Sequence, residues 1–205
     1  MPEKKSKTVA VFGGSFSPPT IAHEAILRQC AQLPGYDEVW LLPSGNRTDK
    51  TISVQPTQQL DMLHILLNDV GAETGSHIKI IDTEIRRGIA TETYDTYQEF
   101  VTKYPTTKFW FVFGADSYAT IGSWLRGSWL LANLPVLLVE RHDMVLPPID
   151  RHVRHLAPLL GDMSLVSSSL VRSMVNSKRG LHPFVSPSIA RYIDDNKLFS
   201  IPTAD

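Results

Sequence analysis

Between residues 13 and 23 the chain reads GGSFSPPTIAH, and the residue types there suit the binding of an anion. Gly13 and Gly14 end an apolar run and let a ligand approach the backbone with no Cβ in the way. Ser15 and Phe16 continue the turn, and Pro18 and Pro19 stiffen it and restrict the residues before them. Thr20 suits the N-cap of the helical pattern that follows. The start of such a helix offers unpaired N–H groups and the positive end of its dipole, both matched to phosphate. His23 stands one helical turn after Thr20, so a hydroxyl and an imidazole share one face. Taken alone, the stretch also reads as a tight strand-to-helix turn with a surface histidine. It lacks the G-x-G-x-x-G spacing, and no Gly-Lys-Ser/Thr follows, which excludes the dinucleotide fingerprint and the P-loop.

Residues 166–172, VSSSLVR, form a second candidate anion site. Ser168 or Ser169 can cap a helix there, and Arg172 returns one turn later with a fixed fork of donors for phosphate oxygens. A Ser-capped surface helix would look the same. In FGADSYATIGSW, residues 113–124, Gly114 and Asp116 follow a strand-like run and Trp124 comes eight residues after Asp116. A flat aromatic face there could carry a heteroaromatic ring or simply pack in the core.

The two anion motifs carry a resemblance. GSFSPPTIAH is similar to the G-x-F-x-P-x-(H/T)-x-x-H signature of the nucleotidyltransferase superfamily, and VSSSLVR to its S-S-(T/S)-x-x-R element. With the G-A-D…W element, the chain resembles the nicotinate/nicotinamide mononucleotide adenylyltransferases over most of residues 8–200. That resemblance implies AMP transfer from ATP to a pyridine mononucleotide, giving an NAD-type dinucleotide and pyrophosphate, with Mg²⁺ carried in on ATP and no dedicated metal cage. It makes His23, Thr20 and Arg172 the catalytic candidates. Gly13, Gly14, Ser15, Phe16, Gly114, Asp116, Ser168 and Ser169 are then candidates for ATP, with the amides of 13–16 lining the phosphate path. Ser15, Lys50, Thr93 and Trp124 are candidates for the mononucleotide, and Arg47 rivals Lys50 for its phosphate.

Several positions depart from the family pattern. Thr91-Glu92-Thr93 stands where bacterial nicotinate enzymes usually have Ser-Tyr-Thr, Gln59 where the family usually has Arg, and Thr20 where His is commoner. These lean toward the nicotinamide-tolerant branch. Two alternatives stand beside this reading. Pantetheine-phosphate adenylyltransferase shares the Thr and the Ser-Ser-Ser-Leu-Val run but is usually shorter and lacks G-A-D…W. The other is a pseudoenzyme that binds nucleotide, against which both intact motifs speak. No G-x-S-x-G elbow suggests a serine hydrolase. The HVRH motif, His152 and His155, has one-turn spacing but carries no acidic or Cys partner within it and reads as surface.

The elements that must position these residues follow from periodicity. Apolar runs at 8–12, 38–43, 78–82, 108–113, 135–139 and 164–166 read as strands, and helical patterns at 20–33, 56–69, 92–103, 128–133, 168–178 and 186–196 alternate with them. Several runs are apolar throughout, as strands covered on both faces are. The fold class expected is α/β: a Rossmann-like, mainly parallel sheet with helices on both faces, of nucleotidyltransferase type. Residues 1–205 read as one domain with 1–7 a flexible tail, and 141–162 as a peripheral loop or short helix. The 205 residues are 42% apolar with a net charge of −1, which argues against nucleic acid and anionic membranes as partners. No apolar run is long enough to span a bilayer. The single Cys30 excludes an intrachain disulfide, reads as a buried structural thiol and fits a cytoplasmic setting, with a nuclear one also compatible. Both a monomer and a homo-oligomer are compatible with this pattern.

Overall fold

The computed structural model of the chain describes residues 6–46, 52–71, 77–140, 145–177 and 180–200. Lys50 and Arg47 lie outside the described residues. Six strands form one parallel sheet: β1 Lys7–Gly14, β2 Glu38–Pro43, β3 Ile78–Ile80, β4 Thr107–Gly114, β5 Val136–Val139 and β6 Val153–His155, in the order β3-β2-β1-β4-β5-β6. Between them run α1 Ile21–Ala31, α2 Pro56–Val70, α3 Thr83–Arg87, α4 Thr93–Lys103, α5 Ala115–Thr120 and α6 Gly127–Asn133; α7 Ser168–Asn176 and α8 Pro187–Asp195 follow. The Rossmann-like expectation holds.

The unbroken apolar runs become central strands because the sheet is covered on both faces. Along β1 the side chains alternate. Ala10 and Phe12 join a core with Ala22, Ile26 and Leu27 of α1 and Leu63 and Leu66 of α2. Val9 and Val11 enter a second core with Phe100 of α4 and Leu130 of α6. The outer face of α2 is buried too: Met62 packs with Val171 of α7 and Ile189 and Ile193 of α8. Sequence distant from α2 therefore closes over it.

At the edge of the strands, Glu38 is held by Lys7 and Lys79, each at 2.5 Å, and by the Trp40 indole N–H at 2.7 Å. Burial alone would raise its carboxyl. The donors outweigh burial and pull it down to about 2. Lys7 thus belongs to β1, paired with Thr107, and not to a flexible tail.

Two strand expectations fail. Residues 164–166 lie at the end of a 3₁₀ helix, Gly161–Leu165, and pair with no strand among the described residues. The sixth strand falls instead inside 141–162. Only three residues long, it carries Arg154 outward, over the Trp110 ring at 4.3 Å, so it offers no apolar run to recognise. Three of the four HVRH residues, Val153–His155, lie on this strand, so one-turn helical pairing does not apply; His155 meets the Pro147 carbonyl at 2.9 Å. The short α3, α5 and the 3₁₀ turn Ile121–Ser123 go beyond the helical patterns legible in the sequence. Cys30 is 1% exposed, and burial pushes its thiol up to about 12, as befits a structural cysteine. Among the described residues no helix is long and apolar enough to cross a membrane.

Candidate active site

In a sheet of this order, ligands sit beyond the carboxyl ends of the strands where the order reverses, here between β1 and β4. β1 leaves that edge at Gly13-Gly14. A Cβ on Gly14 would sit 3.2 Å from the Phe16 ring, a tight contact that would press on the ring folded back beneath it. Phe16 has φ 42°, a left-handed conformation rare for a large residue. Burial compensates: its side chain is fully enclosed and its ring meets Phe12 at 5.4 Å and His23 at 5.2 Å, edge to face. Phe16 therefore supports the turn from inside and does not present its ring to a ligand.

The turn ends in a reciprocal cap. Thr20, in extended conformation, accepts from the His23 N–H through Oγ1, while His23 Nδ1 accepts from the Thr20 N–H at 3.0 Å and lies 2.8 Å from Thr20 Oγ1. Histidine occupies the place Glu or Gln takes in a capping box. Because Nδ1 is an acceptor, the ring proton is placed on Nε2, and His23 offers that N–H as its donor. His23 is half-buried.

The serine–arginine motif meets this turn across the chain. The cap of α7 is Ser167, accepting from the Leu170 N–H at 3.2 Å, and not Ser168 or Ser169 as the sequence suggests. Three adjacent serines can each cap; the extended backbone at 167 selects one. The others are thereby released. Ser168 Oγ donates to the Pro18 carbonyl at 2.8 Å, and Ser169 Oγ accepts from Arg172 at 3.0 Å. Arg172 also donates to the Ser17 carbonyl at 2.7 Å. The second motif is thus fastened to the backbone of the first.

On the other side of the turn opens a cleft of about 600 Å³. Gly13, Gly14 and Ser15 line it, with Ser44 after β2, Thr91, Glu92 and Thr93 at the start of α4, and Asp116, Ser117, Thr120 and Trp124 after β4. Trp124 is half-buried, edge to face with Phe113 at 5.6 Å, and its indole N–H donates to Thr120 Oγ1 at 3.2 Å. Thr93 opens α4, whose N-cap Glu92 makes no side-chain cap bond. Gly114 does not line the cleft; it is the N-cap from which α5 turns.

The structure thus gathers Gly13, Gly14, Ser15, Thr93, Asp116 and Trp124 around one cleft. Thr20, His23, Ser168, Ser169 and Arg172 form a second group across residues 15–20. Sequence reading misses Glu84. It is 8% exposed, lines the cleft from α3, and accepts from Thr96 Oγ1 at 2.8 Å, which in turn accepts from Arg87 at 3.0 Å. A five-residue helix leaves no periodic signal by which to find it.

Gly45 explains how α3 comes so close. A Cβ there would lie 2.2 Å from the Glu84 carbonyl oxygen and 2.6 Å from its carbon. Gly45→Ala is expected to force these backbones apart at a cost of about 1–3 kcal/mol. Thermal melting should fall by roughly 2–4 °C per kcal/mol, and an unshifted melting temperature would contradict the contact. Among the described residues no three His, Cys, Asp or Glu side chains are grouped to hold a metal ion.

A six-stranded parallel sheet with two fastened phosphate-type motifs at its switch point places the chain among the Rossmann-like α/β proteins of nucleotidyltransferase type. The cytidylyltransferase-like family model matches residues 11–174, and the chain belongs to that family. Among curated relatives, a "probable nicotinate-nucleotide adenylyltransferase" of Leptospira interrogans is 29% identical over 199 residues, covering 93% of this chain and 96% of that protein. One from Staphylococcus saprophyticus under the same name is 26% identical over 196 residues, covering 95% and 98%. The solved structure of Plasmodium falciparum nicotinic acid mononucleotide adenylyltransferase complexed with NaAD superposes with a TM-score of 0.84 at 25% identity, covering 94% of this chain and 97% of that one.

Proposed function

We propose that this chain transfers the adenylyl group of ATP to nicotinate or nicotinamide mononucleotide, forming the NAD-type dinucleotide and releasing pyrophosphate. One observation carries the reading most: Ser168 and Arg172 fasten onto the Pro18 and Ser17 carbonyls, within the same turn that carries the Thr20–His23 cap and whose Gly13, Gly14 and Ser15 line the Trp124 cleft. The names of the relatives point the same way.

A phosphate oxygen of the mononucleotide attacks the α-phosphorus of ATP. The bond to the α–β bridging oxygen breaks and pyrophosphate leaves. No covalent help from the protein is needed, so alignment and stabilisation of developing charge supply the catalysis. His23 Nε2–H is the donor to the α-phosphate, with the Thr20 hydroxyl beside it. Arg172, Ser168 and Ser169 hold the β- and γ-phosphates, and the amides near Gly13 and Gly14 line the path between the two substrates. Mg²⁺ would come with ATP and not on a protein cage, since this ion keeps most of its water and takes few protein ligands, and would help neutralise the triphosphate charge. Thr93 and Trp124 receive the pyridine ring; Glu84, Glu92 and Asp116 in the same lining favour an uncharged amide on it, so acceptance of the nicotinamide form is expected.

Trp124→Ala should raise the mononucleotide KM by roughly 10-fold, the loss of about 1–3 kcal/mol of ring stacking, and leave the ATP KM unchanged. Varying each substrate in turn checks this, and an effect on ATP alone would reverse the assignment. The reading as a whole is tested by pyrophosphate release from ATP with nicotinate mononucleotide, nicotinamide mononucleotide or phosphopantetheine as acceptor. Turnover only with phosphopantetheine, or with none, would overturn it.

A further inference from the structure

Gln59 lies in the first turns of α2, behind the cleft, where an amide has no obvious reason to be buried. It is 2% exposed. Its Nε2 donates to the Ser15 carbonyl at 2.6 Å and to the Ser44 carbonyl at 3.2 Å. These two residues belong to the chain segments leaving β1 and β2, and both line the cleft. The same segments are joined by the Ser44 N–H donating to the Gly14 carbonyl at 2.9 Å, one step beyond the strand pairing of Gly14 with Pro43. From the opposite side Gly45 rests on the Glu84 backbone. One side-chain amide therefore ties together the two segments that set the width of the cleft at its Gly14–Ser15 end.

We propose that Gln59 is a positioning residue for the mononucleotide, acting through Ser15 and Ser44 without touching either substrate; this rests on the adenylyl-transfer reading given above. The physical reason is that a buried carbonyl stripped of its donor must find another, and the nearest are reached only by moving its segment. The amide's two N–H groups match two carbonyls on different segments. A leucine of similar size fills the space but donates nothing. A glutamate keeps the shape and turns the donors into acceptors facing two carbonyl oxygens. An arginine restores donors with reach to both.

The test compares Gln59→Leu, Gln59→Glu and Gln59→Arg by steady-state kinetics in each substrate, with circular dichroism and thermal melting on each variant. For the Leu and Glu variants the mononucleotide kcat/KM should fall ~10–100-fold, the scale of a misplacement of about 1 Å, while the ATP KM stays near that of the wild type. The Arg variant should recover most of the loss. Wild-type mononucleotide constants in a folded Leu or Glu variant would overturn the proposal. So would a loss shared equally by ATP, or one that Arg does not relieve, since either marks simple packing. If the Leu variant fails to fold, the isosteric Glu variant set against Arg decides. Absence of pyrophosphate release by the wild type with every acceptor would instead sink the adenylyl-transfer reading. The positioning role is then decided by calorimetric binding of nicotinate and nicotinamide mononucleotide to wild type and the Glu variant. Weaker binding by the variant supports it; equal binding, or none by the wild type, overturns it.

Discussion

Replacing His23 by alanine is expected to lower kcat by about 10²–10³-fold, the usual loss when one pre-placed donor to a developing oxyanion is removed. The geometry behind this is local. His23 Nδ1 accepts from the Thr20 N–H, which fixes the ring plane and places the ring proton on Nε2. The Phe16 ring braces one side of the imidazole at 5.2 Å. In the proposed reaction a donor already set in place would need no reorganisation as charge builds on the α-phosphate, which accounts for the large expected factor. The same mutation removes half of a cap, worth about 1 kcal/mol, so the melting temperature should drop by only roughly 2–4 °C. A folded His23→Ala variant with near-wild-type turnover would refute the role. The two readouts separate catalysis from folding because the Thr20 hydroxyl, the other half of the cap, remains.

Arg172→Ala should lower kcat/KM for ATP by about 10²–10³-fold, the equivalent of roughly 3–4 kcal/mol at about 1.4 kcal/mol per decade. Two losses combine. The cation that would meet the β- and γ-phosphates disappears, and the Ser17 carbonyl loses its donor at 2.7 Å. Ser17 is 2% exposed and its hydroxyl has no hydrogen-bond partner among the described residues, so the loop there has little reserve. Arg172→Lys should recover only a small part, since a single ammonium cannot reproduce a fork that reaches both Ser17 and Ser169. The mononucleotide KM should change far less than the ATP KM, and steady-state kinetics in both substrates checks the split. Equal damage to both would mean that Arg172 merely holds the loop.

Much of the site is legible in the amino-acid sequence. The pairing of Thr20 and His23 follows from one turn of helix, and the cap is recognisable because extended-then-helical backbone after two prolines leaves few alternatives. The reach of Arg172 to Ser169 is likewise a helical spacing. The serine cap falls one residue earlier than expected because hydroxyls at 167, 168 and 169 are chemically equivalent, and only the backbone angles choose. The motif position of Phe16 points to ATP; its side chain turns inward because a left-handed φ places the ring under the loop. The sixth strand escapes sequence reading because an edge strand of three residues with an outward Arg has no periodicity to show.

By itself, the amino-acid sequence determined the phosphate-type motifs and the layered architecture. Both depend on short-range rules: strand and helix periods, capping, and the residue types phosphate demands. Only the tertiary structure decided how those residues meet. Ser168 and Arg172 reach the Pro18 and Ser17 carbonyls across 150 and 155 positions, and Gln59 reaches Ser15 across 44. Such bonds arise from strand order and from the cores that seat α2 and α7 behind the switch point. Carbonyl acceptors are common to every residue, so no side-chain pattern announces which of them a distant donor will find.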